Sequence, residues 1–512
     1  MQLVLDLMAN ESFTSILLNL KESGFFENLI IRRGIEKEFF RVDRNGNISN
    51  SPHPVSLGSA LTNKFITTDF AEAQIELVTP VFENINDLSN FLYSLHVFVA
   101  QNIDSNELLW PFSMPPKIKN EDDINLGFYH QSNTGLLKHV YRKGLKVRYG
   151  PTMQCVSGMH YNFSVEKNSL SKFIRSDDQK MINEAYLSLI RNFKRLYWFV
   201  LLMYGQTNIV DNSFVRGREH NLNKLSSDDM YLKDATSLRM SEIGYQSKAQ
   251  KNLDIKYNSL DDFLKEIKKA ITIPFSEFSN KGLKDPQGNY QQISDGIIQI
   301  ENEYYDSIRP KRSSYNNYRP LDLLSNFGIE YLEIRGIDIS PNEITGMSEH
   351  HIRFIDLFLI YCLVNPSDKI DASEKKTMDK NEYKAIYMGR NENTVISYKG
   401  LDMNIHEAKN LLTDDLKLLA EMFENSSEYL ESIEYILTES KGSLLESGFH
   451  DAGLAKAKSN TESLRADYDQ NINSIKIEAE LSLEKLNNIP KNSKEEMDIY
   501  VGNYNSNLQG EI

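Results

Sequence analysis

Two glutamates one residue apart, Glu36 and Glu38, lie in a stretch of alternating apolar and polar residues that runs from 29 to 48. A period of two predicts a β-strand, and side chains two residues apart lie on the same face of a strand, with Cα atoms about 6.6 Å apart. Asn45-Gly46 is typical of a tight hairpin turn and would end this strand. Two carboxylates this close repel each other, so this face either is solvated or holds a cation.

Three further segments, 67–77, 154–165 and 329–335, show the same separation of polar and apolar faces. Each alternates over several residues, and each is therefore predicted to be a strand with one polar side. Asp69 comes at the start of the first of these strands. The polar members are Asp69, Gln74 and Glu76 in the first segment, Gln154, His160, Asn162 and Ser164 in the second, and Tyr331, Glu333 and Arg335 in the third.

The residue types on these faces indicate a particular chemistry. Carboxylates with a single histidine suit Mg²⁺ or Mn²⁺ better than zinc, which prefers cysteine and histidine. Cations held by carboxylates beside an arginine are what phosphoryl transfer requires. The plainer alternatives are a solvated strand face for the carboxylates and a structural role for His160.

The usual nucleotide-binding motifs are absent from the sequence. It has no Gly-Lys dipeptide, hence no P-loop, and no GxGxxG before a helix. The best candidate for binding the phosphates of a nucleotide is the basic segment 308–312, although a surface run of charge is the alternative. Its basic residues are Arg309, Lys311 and Arg312.

The charge of the chain restricts its partners. With 72 acidic and 57 basic residues the formal net charge is −15, which argues against a nucleic acid as partner but permits a nucleotide held by cations. Two cysteines far apart in sequence indicate reduced thiols. The longest apolar run, 196–204, is too short to span a membrane, and the N-terminus lacks the features of a signal peptide. A cytoplasmic protein without membrane contact is predicted, and a monomer is our expectation.

Helical periodicity fills much of the remaining sequence. Helices are predicted over 1–25, 85–103, 170–205 and 350–363, and again after residue 370, where aromatic residues become rarer. The prediction is an α+β fold with a β-sheet wrapped by helices. We expect residues 1–370 to form the catalytic part and residues 371–512 to form a helical C-terminal region packed on it or appended to it.

Eight segments together resemble glutamate–cysteine ligase of the proteobacterial type. They cover roughly residues 25–365 in the family's order, and the resemblance is weak beyond about 370. The segments are RRGIEKEFFRV (32–42), LGSALTNKFITTDFAEAQIELVTP (57–80), WPFSMP (110–115), VYRKGLKVRYG (140–150), SGMHYNFS (157–164), ATSLRMSEIGY (235–245), IQIENEYYDSIRPKR (298–312) and GIEYLEIRGIDISP (328–341).

The resemblance implies a fold and a reaction. The family is similar to glutamine synthetase, with a curved, mainly antiparallel sheet that forms a funnel-shaped active site. ATP phosphorylates the γ-carboxylate of L-glutamate, and the amine of L-cysteine then displaces phosphate to give γ-glutamylcysteine. This is the first step of glutathione biosynthesis, and glutathione is an expected feedback inhibitor.

The resemblance also assigns residues. It implies Arg335 beside the transferred phosphoryl group and Arg239 as a ligand of phosphate or glutamate. The implied magnesium ligands are Glu36, Glu38, Asp69, Glu76, His160 and Glu333. The implied cysteine-binding pocket consists of Phe70, Tyr141, Leu145, Gln154, Tyr245 and Tyr305, and Asn162 is also predicted to bind substrate. Core packing is the alternative role for these aromatic residues.

Two other functions remain open at this point. One is a magnesium–nucleotide phosphotransferase or ligase that acts on another amine acceptor, such as a guanidino compound. The other is a metabolite-binding regulator without turnover, which would not need the full set of metal ligands.

Overall fold

The computed structural model describes residues 13–314, 318–439, 441, 448–469, 471–492 and 494–506. The strands are β1 (Ile31–Val42), β2 (Ile66–Thr68), β3 (Gln74–Val78), β4 (Leu108–Leu109), β5 (Met159–Val165), β6 (Ile209–Asp211), β7 (Asn223–Lys224), β8 (Asp229–Tyr231), β9 (Ile308–Lys311), β10 (Tyr331–Ile337), β11 (Val395–Tyr398) and β12 (Leu401–Asn404). The helices are α1 (13–22), α2 (Ile85–Asn102), α3 (Asn133–Tyr149), α4 (Lys167–Ile174), α5 (Gln179–Arg195), α6 (Tyr197–Tyr204), α7 (Asn212–Val215), α8 (Leu260–Thr272), α9 (Ser276–Ser279), α10 (Pro320–Phe327), α11 (Glu349–Val364), α12 (Ala372–Met388), α13 (Ile405–Ala420) and α14 (Ser426–Thr438), followed by Phe449–Ala466, Ile472–Asn487 and Lys494–Ser506.

The central sheet is antiparallel throughout. Within the described residues it has seven strands, with the order β2-β3-β1-β5-β10-β9 and with β4 paired to the end of β1. Pro310 lies in β9 at the sheet edge, where the missing N–H of proline is tolerated. The predicted α+β architecture is confirmed.

The predicted turn after β1 is present. Gly46 has φ of +77°, a value that glycine adopts without strain, and the Asp43 N–H donates to Asn47 O at 2.8 Å. Val42 pairs with Ile48 across this turn. The alternation that predicts β1 therefore also fixes which of its side chains share a face.

The two faces of the sheet differ as the sequence predicts. The apolar face is buried in the main core, where Ile35 and Phe39 are each 1% exposed. Helices α2, α5, α6 and α11 cover this side. Because side chains alternate along a strand, burying this face leaves the carboxylates of β1, β3 and β10, and His160 of β5, on the other face.

Two predicted strands are shorter than the sequence pattern indicates. Helix α3 continues to Tyr149, and a 3₁₀ turn over Thr152–Cys155 carries Gln154, so only β5 of the segment 154–165 is a strand. Gly150 with φ of +80° and Pro151 end the helix and force this turn. Likewise, the segment 67–77 is a β2–β3 hairpin, and Asp69 follows β2 instead of opening β3.

The C-terminal region is mainly helical, with the small β11–β12 hairpin between helices α12 and α13. Its helices contribute to the same core as the sheet, through residues such as Leu416 and Ile433. The helix Lys494–Ser506 packs on α3, with Met497 and Val501 buried against Val140. The division of the chain at residue 370 stays a prediction. No helix among the described residues has the length and apolar character needed to cross a membrane.

Candidate active site

A cavity of about 280 Å³ lies on the polar face of the sheet. Its floor is formed by β1, β3, β5, β9 and β10, and its wall by α3 and the loops that carry Arg239 and Tyr305. Its charged and histidine lining residues are Glu36, Glu38, Asp69, Glu76, Lys138, Arg142, His160, Arg239, Arg309, Lys311, Glu333 and Arg335. The structure thus brings together all six predicted metal ligands and both predicted catalytic arginines.

Strand register explains why these residues meet. Glu36 lies opposite His160 on β5, and Glu38 lies opposite Glu76 on β3. On the other side, Glu333 of β10 lies opposite Arg309 of β9. Directly opposed residues in an antiparallel sheet have Cβ atoms about 4.5–5.5 Å apart, so acidic and basic side chains are held close without any loop.

His160 occupies the centre of the acidic cluster. Its Nδ1 lies 3.2 Å from Glu36 Oε2, and its Nε2 lies 3.6 Å from Glu38 Oε1 without a hydrogen-bond partner. Burial and the charge of Arg335 lower the pKa of this imidazole to about 4, so it is neutral at physiological pH. A proton on Nδ1 donated to Glu36 leaves the Nε2 lone pair available to a cation.

Two groups of potential ligands share His160. One consists of Glu36, His160 and Glu333, and the other of Glu38, Glu76 and His160; the ligand atoms within each group all lie within 4.8 Å of one another. Carboxylate oxygens with one imidazole form a donor set for a hard divalent cation. The unpartnered Nε2 and this donor set fit magnesium.

The acidic side of the cavity holds more negative charge than its neighbours neutralise. Burial and the nearby Asp69 raise the pKa of Glu38 to about 8. Burial also raises the pKa of Glu76 well above its usual range, with Asp69 adding to the effect, and raises the pKa of Asp69 itself. A bound cation would oppose these shifts, because it stabilises the ionised carboxylates.

The other side of the cavity is basic. Glu333 accepts from Arg309 Nε at 2.9 Å and from Arg335 Nη1 at 3.0 Å, and it lies 3.4 Å from Lys311 Nζ. Burial alone would raise the pKa of the Glu333 carboxyl, but these three cations bring it well below its usual range. Glu333 is therefore ionised and orients the basic residues around it.

The two predicted catalytic arginines are held differently. Arg335 donates from Nε to the Tyr245 hydroxyl at 2.8 Å. Arg239 donates from Nη1 to Ile337 O and to Met240 Sδ, each at 3.3 Å, and from Nη2 to Arg335 O at 3.1 Å, and its buried Nε has no partner. Its guanidinium rests on Gly158, where a Cβ would lie 1.9 Å from Nη2. The free N–H groups of Arg239 can bind an anion in the cavity.

The predicted cysteine pocket is mostly assembled. Tyr245 and Tyr305 have ring centroids 4.4 Å apart, and the Tyr305 hydroxyl donates to Gln154 Oε1 at 3.1 Å. Tyr141, Leu145 and Gln154 complete the lining. Phe70, in contrast, is 1% exposed in the apolar cluster that also contains Leu145, and it does not line the cavity.

Asn162 and Arg312 lie outside the cavity lining. Asn162 donates to Glu36 Oε1 at 2.9 Å, so it orients a predicted metal ligand. Arg312 directs its guanidinium to the backbone oxygens of Phe327 and Gly328. The structure therefore brings Arg309 and Lys311 to the site but not Arg312.

Two further cavity residues, Lys138 and Arg142, come from α3. Arg142 donates to the backbone oxygens of Asp69 and Thr68, and its charge lowers the pKa of Asp69 against the larger effect of burial. Together with Tyr141 and Leu145, these residues recur at helical spacing, and that periodicity is the signal that could have identified them from the sequence.

Comparisons with known proteins show which family the chain belongs to. The sequence model described as glutamate–cysteine ligase matches residues 18–385. A protein from Hahella chejuensis named glutamate–cysteine ligase is 42% identical over 365 residues, which are 70% of this chain and 69% of that protein. A protein of the same name from Baumannia cicadellinicola is 42% identical over 366 residues, 70% of each chain.

Solved structures agree with these sequence matches. The crystal structure of glutamate–cysteine ligase from Francisella tularensis in complex with AMP has a TM-score of 0.88 at 30% identity, covering 94% of this chain and 99% of that one. A bifunctional glutathione synthetase from Pasteurella multocida shares the fold, with a TM-score of 0.65 at 22% identity over 87% of this chain and 53% of that one. The chain belongs to the glutamate–cysteine ligase family.

Proposed function

We propose that this protein is an ATP-dependent ligase that joins the γ-carboxylate of L-glutamate to the amine of L-cysteine. The product is γ-glutamylcysteine, and the reaction is the first step of glutathione biosynthesis. The observation that carries this proposal is a single cavity in which an acidic, metal-competent cluster and two arginines adjoin a small tyrosine-lined pocket. The family match supports the same reaction.

The chemistry requires an activated carboxylate. A free carboxylate is a poor electrophile, whereas a γ-glutamyl phosphate offers phosphate as a leaving group when the cysteine amine attacks. Such an intermediate hydrolyses readily, so the site must exclude water. The Tyr245 and Tyr305 rings, in contact at an interplanar angle of 54°, and the buried Leu145 line the side of the cavity from which the amine would approach.

Magnesium is the cation that this site fits best, although manganese has the same preferences. The residues that would hold it are the two groups that share His160, together with Asp69. When bound, the cation would neutralise phosphate oxygens of ATP.

The arginines and Lys311 would act on the anionic substrates. Arg335, placed between Glu333 and Tyr245, would stabilise the charge on the transferred phosphoryl group. Arg239 would bind phosphate or glutamate through its unpartnered N–H groups. Arg309 already donates to Glu333 and to the Asn302 and Tyr304 oxygens, so Lys311 is the better candidate for direct contact with the nucleotide.

An assay with hydroxylamine tests the proposal. Incubation with ATP, glutamate and hydroxylamine should give γ-glutamyl hydroxamate, because hydroxylamine traps an activated γ-carboxylate. ADP release should also depend on cysteine when cysteine is the acceptor. No hydroxamate, with ADP released only with a guanidino or another amine acceptor, would refute the ligase and favour the phosphotransferase. Binding of ATP without turnover would favour a regulator.

The Tyr245 hydroxyl should connect the amine pocket with the phosphoryl site. Tyr245→Phe keeps the ring that packs against Tyr305 but removes the acceptor of the Arg335 hydrogen bond. We expect kcat to fall about tenfold, because one hydrogen bond that orients the charged Arg335 side chain is lost. Tyr245→Ala should in addition raise the KM for cysteine. Steady-state kinetics with cysteine and ATP varied separately measures both, and a change confined to the KM for ATP would contradict the assignment.

Three properties extend the proposal beyond the reaction itself. We expect glutathione to inhibit, because it contains the product γ-glutamylcysteine and can occupy the same cavity. A monomer and a cytoplasmic location stay predictions from the sequence. Inhibition kinetics with glutathione tests the first of these properties, and size-exclusion chromatography with light scattering tests whether the protein is a monomer.

A further inference from the structure

Asp338 lies directly after β10, completely buried, and outside the cavity lining. Its Oδ1 accepts from the Ser237 hydroxyl at 2.9 Å. Its Oδ2 accepts from the Gln206 N–H and the Thr207 hydroxyl, each at 2.9 Å. One carboxylate thus joins two distant segments, 206–207 and 237, to the end of the catalytic strand.

The partners of Asp338 hold the backbone of Arg239. Thr207 Oγ1 accepts the Arg239 N–H at 3.4 Å, and Ser237 Oγ accepts the Met240 N–H at 3.2 Å. The hydroxyls that donate to Asp338 are therefore the same ones that fix the peptide groups on both sides of the Arg239 side chain. Displacing the carboxylate would therefore displace the backbone from which the Arg239 side chain extends.

Asp338 also interacts with the Arg239 charge. Its Oδ1 lies 3.8 Å from Arg239 Nη1, with both side chains at most 1% exposed. Arg239 makes no direct hydrogen bond to a carboxylate among the described residues, so Asp338 is a close counter-charge that does not occupy its N–H groups. At low local dielectric such a pair interacts strongly across this distance.

We propose that Asp338 is a positioning residue for Arg239. It holds the guanidinium against Gly158 by charge and by two hydroxyl-mediated backbone contacts, and it leaves Nε and one Nη2 hydrogen without a protein acceptor and so available to a substrate anion. This inference rests on the proposed function, in which Arg239 binds glutamate or phosphate. It assigns part of the affinity for the anionic substrate to a residue that does not touch it.

Asp338→Asn tests this with nearly unchanged volume. We expect kcat/KM for glutamate to fall about 10- to 100-fold, because a small displacement of a substrate-binding group costs up to about 100-fold, whereas the KM for cysteine should change less than about threefold. The matched control is Glu439→Gln. Glu439 accepts from Gln206 Nε2 at 3.1 Å and from Ser340 Oγ at 2.7 Å, so it joins one of the same segments to the chain just after Asp338 without contacting Arg239. This control should leave the glutamate kinetics near wild type even if it lowers the Tm.

A double-mutant cycle with Arg239→Lys separates positioning from general support. In the Arg239→Lys protein, adding Asp338→Asn should lower kcat/KM for glutamate by less than about twofold, because the group that Asp338 positions is already altered. An equal loss in both backgrounds, or the same loss in Glu439→Gln, would overturn the inference. If Asp338→Asn does not fold, Thr207→Val removes one of its hydroxyl contacts and enters the same cycle.

A second readout and a wild-type control distinguish failure of this inference from failure of the proposed function. When turnover is too low to measure, the thermal shift caused by glutamate supplies the binding readout for all four proteins of the cycle. Wild-type protein runs beside them: if it makes no γ-glutamyl product, the proposed function fails. If it is active and the cycle is additive, only the role of Asp338 fails.

Discussion

Replacement of Arg335 by alanine should lower kcat about 10²- to 10³-fold with little change in Tm, as expected when one charge-stabilising donor is removed from a transition state. Arg335 donates to Glu333 Oε1 and to the Tyr245 hydroxyl, so its guanidinium is fixed before any substrate binds. Its side chain is 12% exposed, and thus it faces the cavity. Steady-state kinetics of ADP release and a thermal melt measure the two quantities.

Arg335→Lys is the matched control for this change. Lysine keeps the positive charge but cannot reach the hydroxyl and the carboxylate at the same time. We expect it to recover part of the lost turnover, because charge is retained without the fixed geometry. Unchanged kcat in Arg335→Ala would contradict the placement of the phosphoryl group beside this residue. A large fall in Tm would instead indicate that Arg335 mainly supports the fold.

Magnesium should raise the Tm more at pH 8 than at pH 6. Glu38 has a folded-state pKa of about 8, raised by burial and by Asp69, and the pKa values of Glu76 and Asp69 are raised as well. A raised carboxyl pKa contributes stability below the unfolded value near 4.5, and this contribution is lost as the pH rises through the folded value. A cation reverses the loss by binding the ionised carboxylates, and it displaces their protons.

Differential scanning calorimetry with and without MgCl₂, at constant ionic strength, checks this expectation. Glu76→Gln is the matched variant, because it removes one carboxylate of the group that contains Glu38 and His160 while keeping the side-chain size. In the absence of magnesium it should melt higher than wild type at pH 8, and its magnesium-induced shift should be smaller. A magnesium effect that is equal at both pH values, or larger at pH 6, would contradict this account of the cluster.

The sequence alone predicts the part of the site that lies on strands. Period-two alternation identifies the polar faces of β1, β3, β5 and β10, and the structure shows these strands as direct neighbours. Alternation also accounts for β9, where Arg309 and Lys311 share the face that meets Glu333 and Arg312 points elsewhere. In an antiparallel sheet, local periodicity and register therefore carry most of the geometry.

Residues outside the strands could not be predicted in this way. Asp69 and Arg239 lie outside the strands, and only the resemblance to the family indicates their roles as a metal ligand and a ligand of phosphate or glutamate. Arg142 lies on α3, a helix that the sequence analysis does not predict, and Asp338 lies outside the cavity lining. Phe70 has the residue type of a pocket wall, yet it is buried in the core, because a local pattern does not show which side of a loop faces the cavity.

The packing of the helix Lys494–Ser506 has a consequence during protein synthesis. This helix supports α3 and the Ile293 region, which form the outer wall of the cavity. A ribosome that has completed β10 at Ile337 must still translate as far as this helix, which at ~5–20 residues per second takes on the order of ten seconds. During that interval the catalytic sheet exists without its outer support. A nascent chain should therefore acquire tight substrate binding late, well after the residues that bind the substrates have been made.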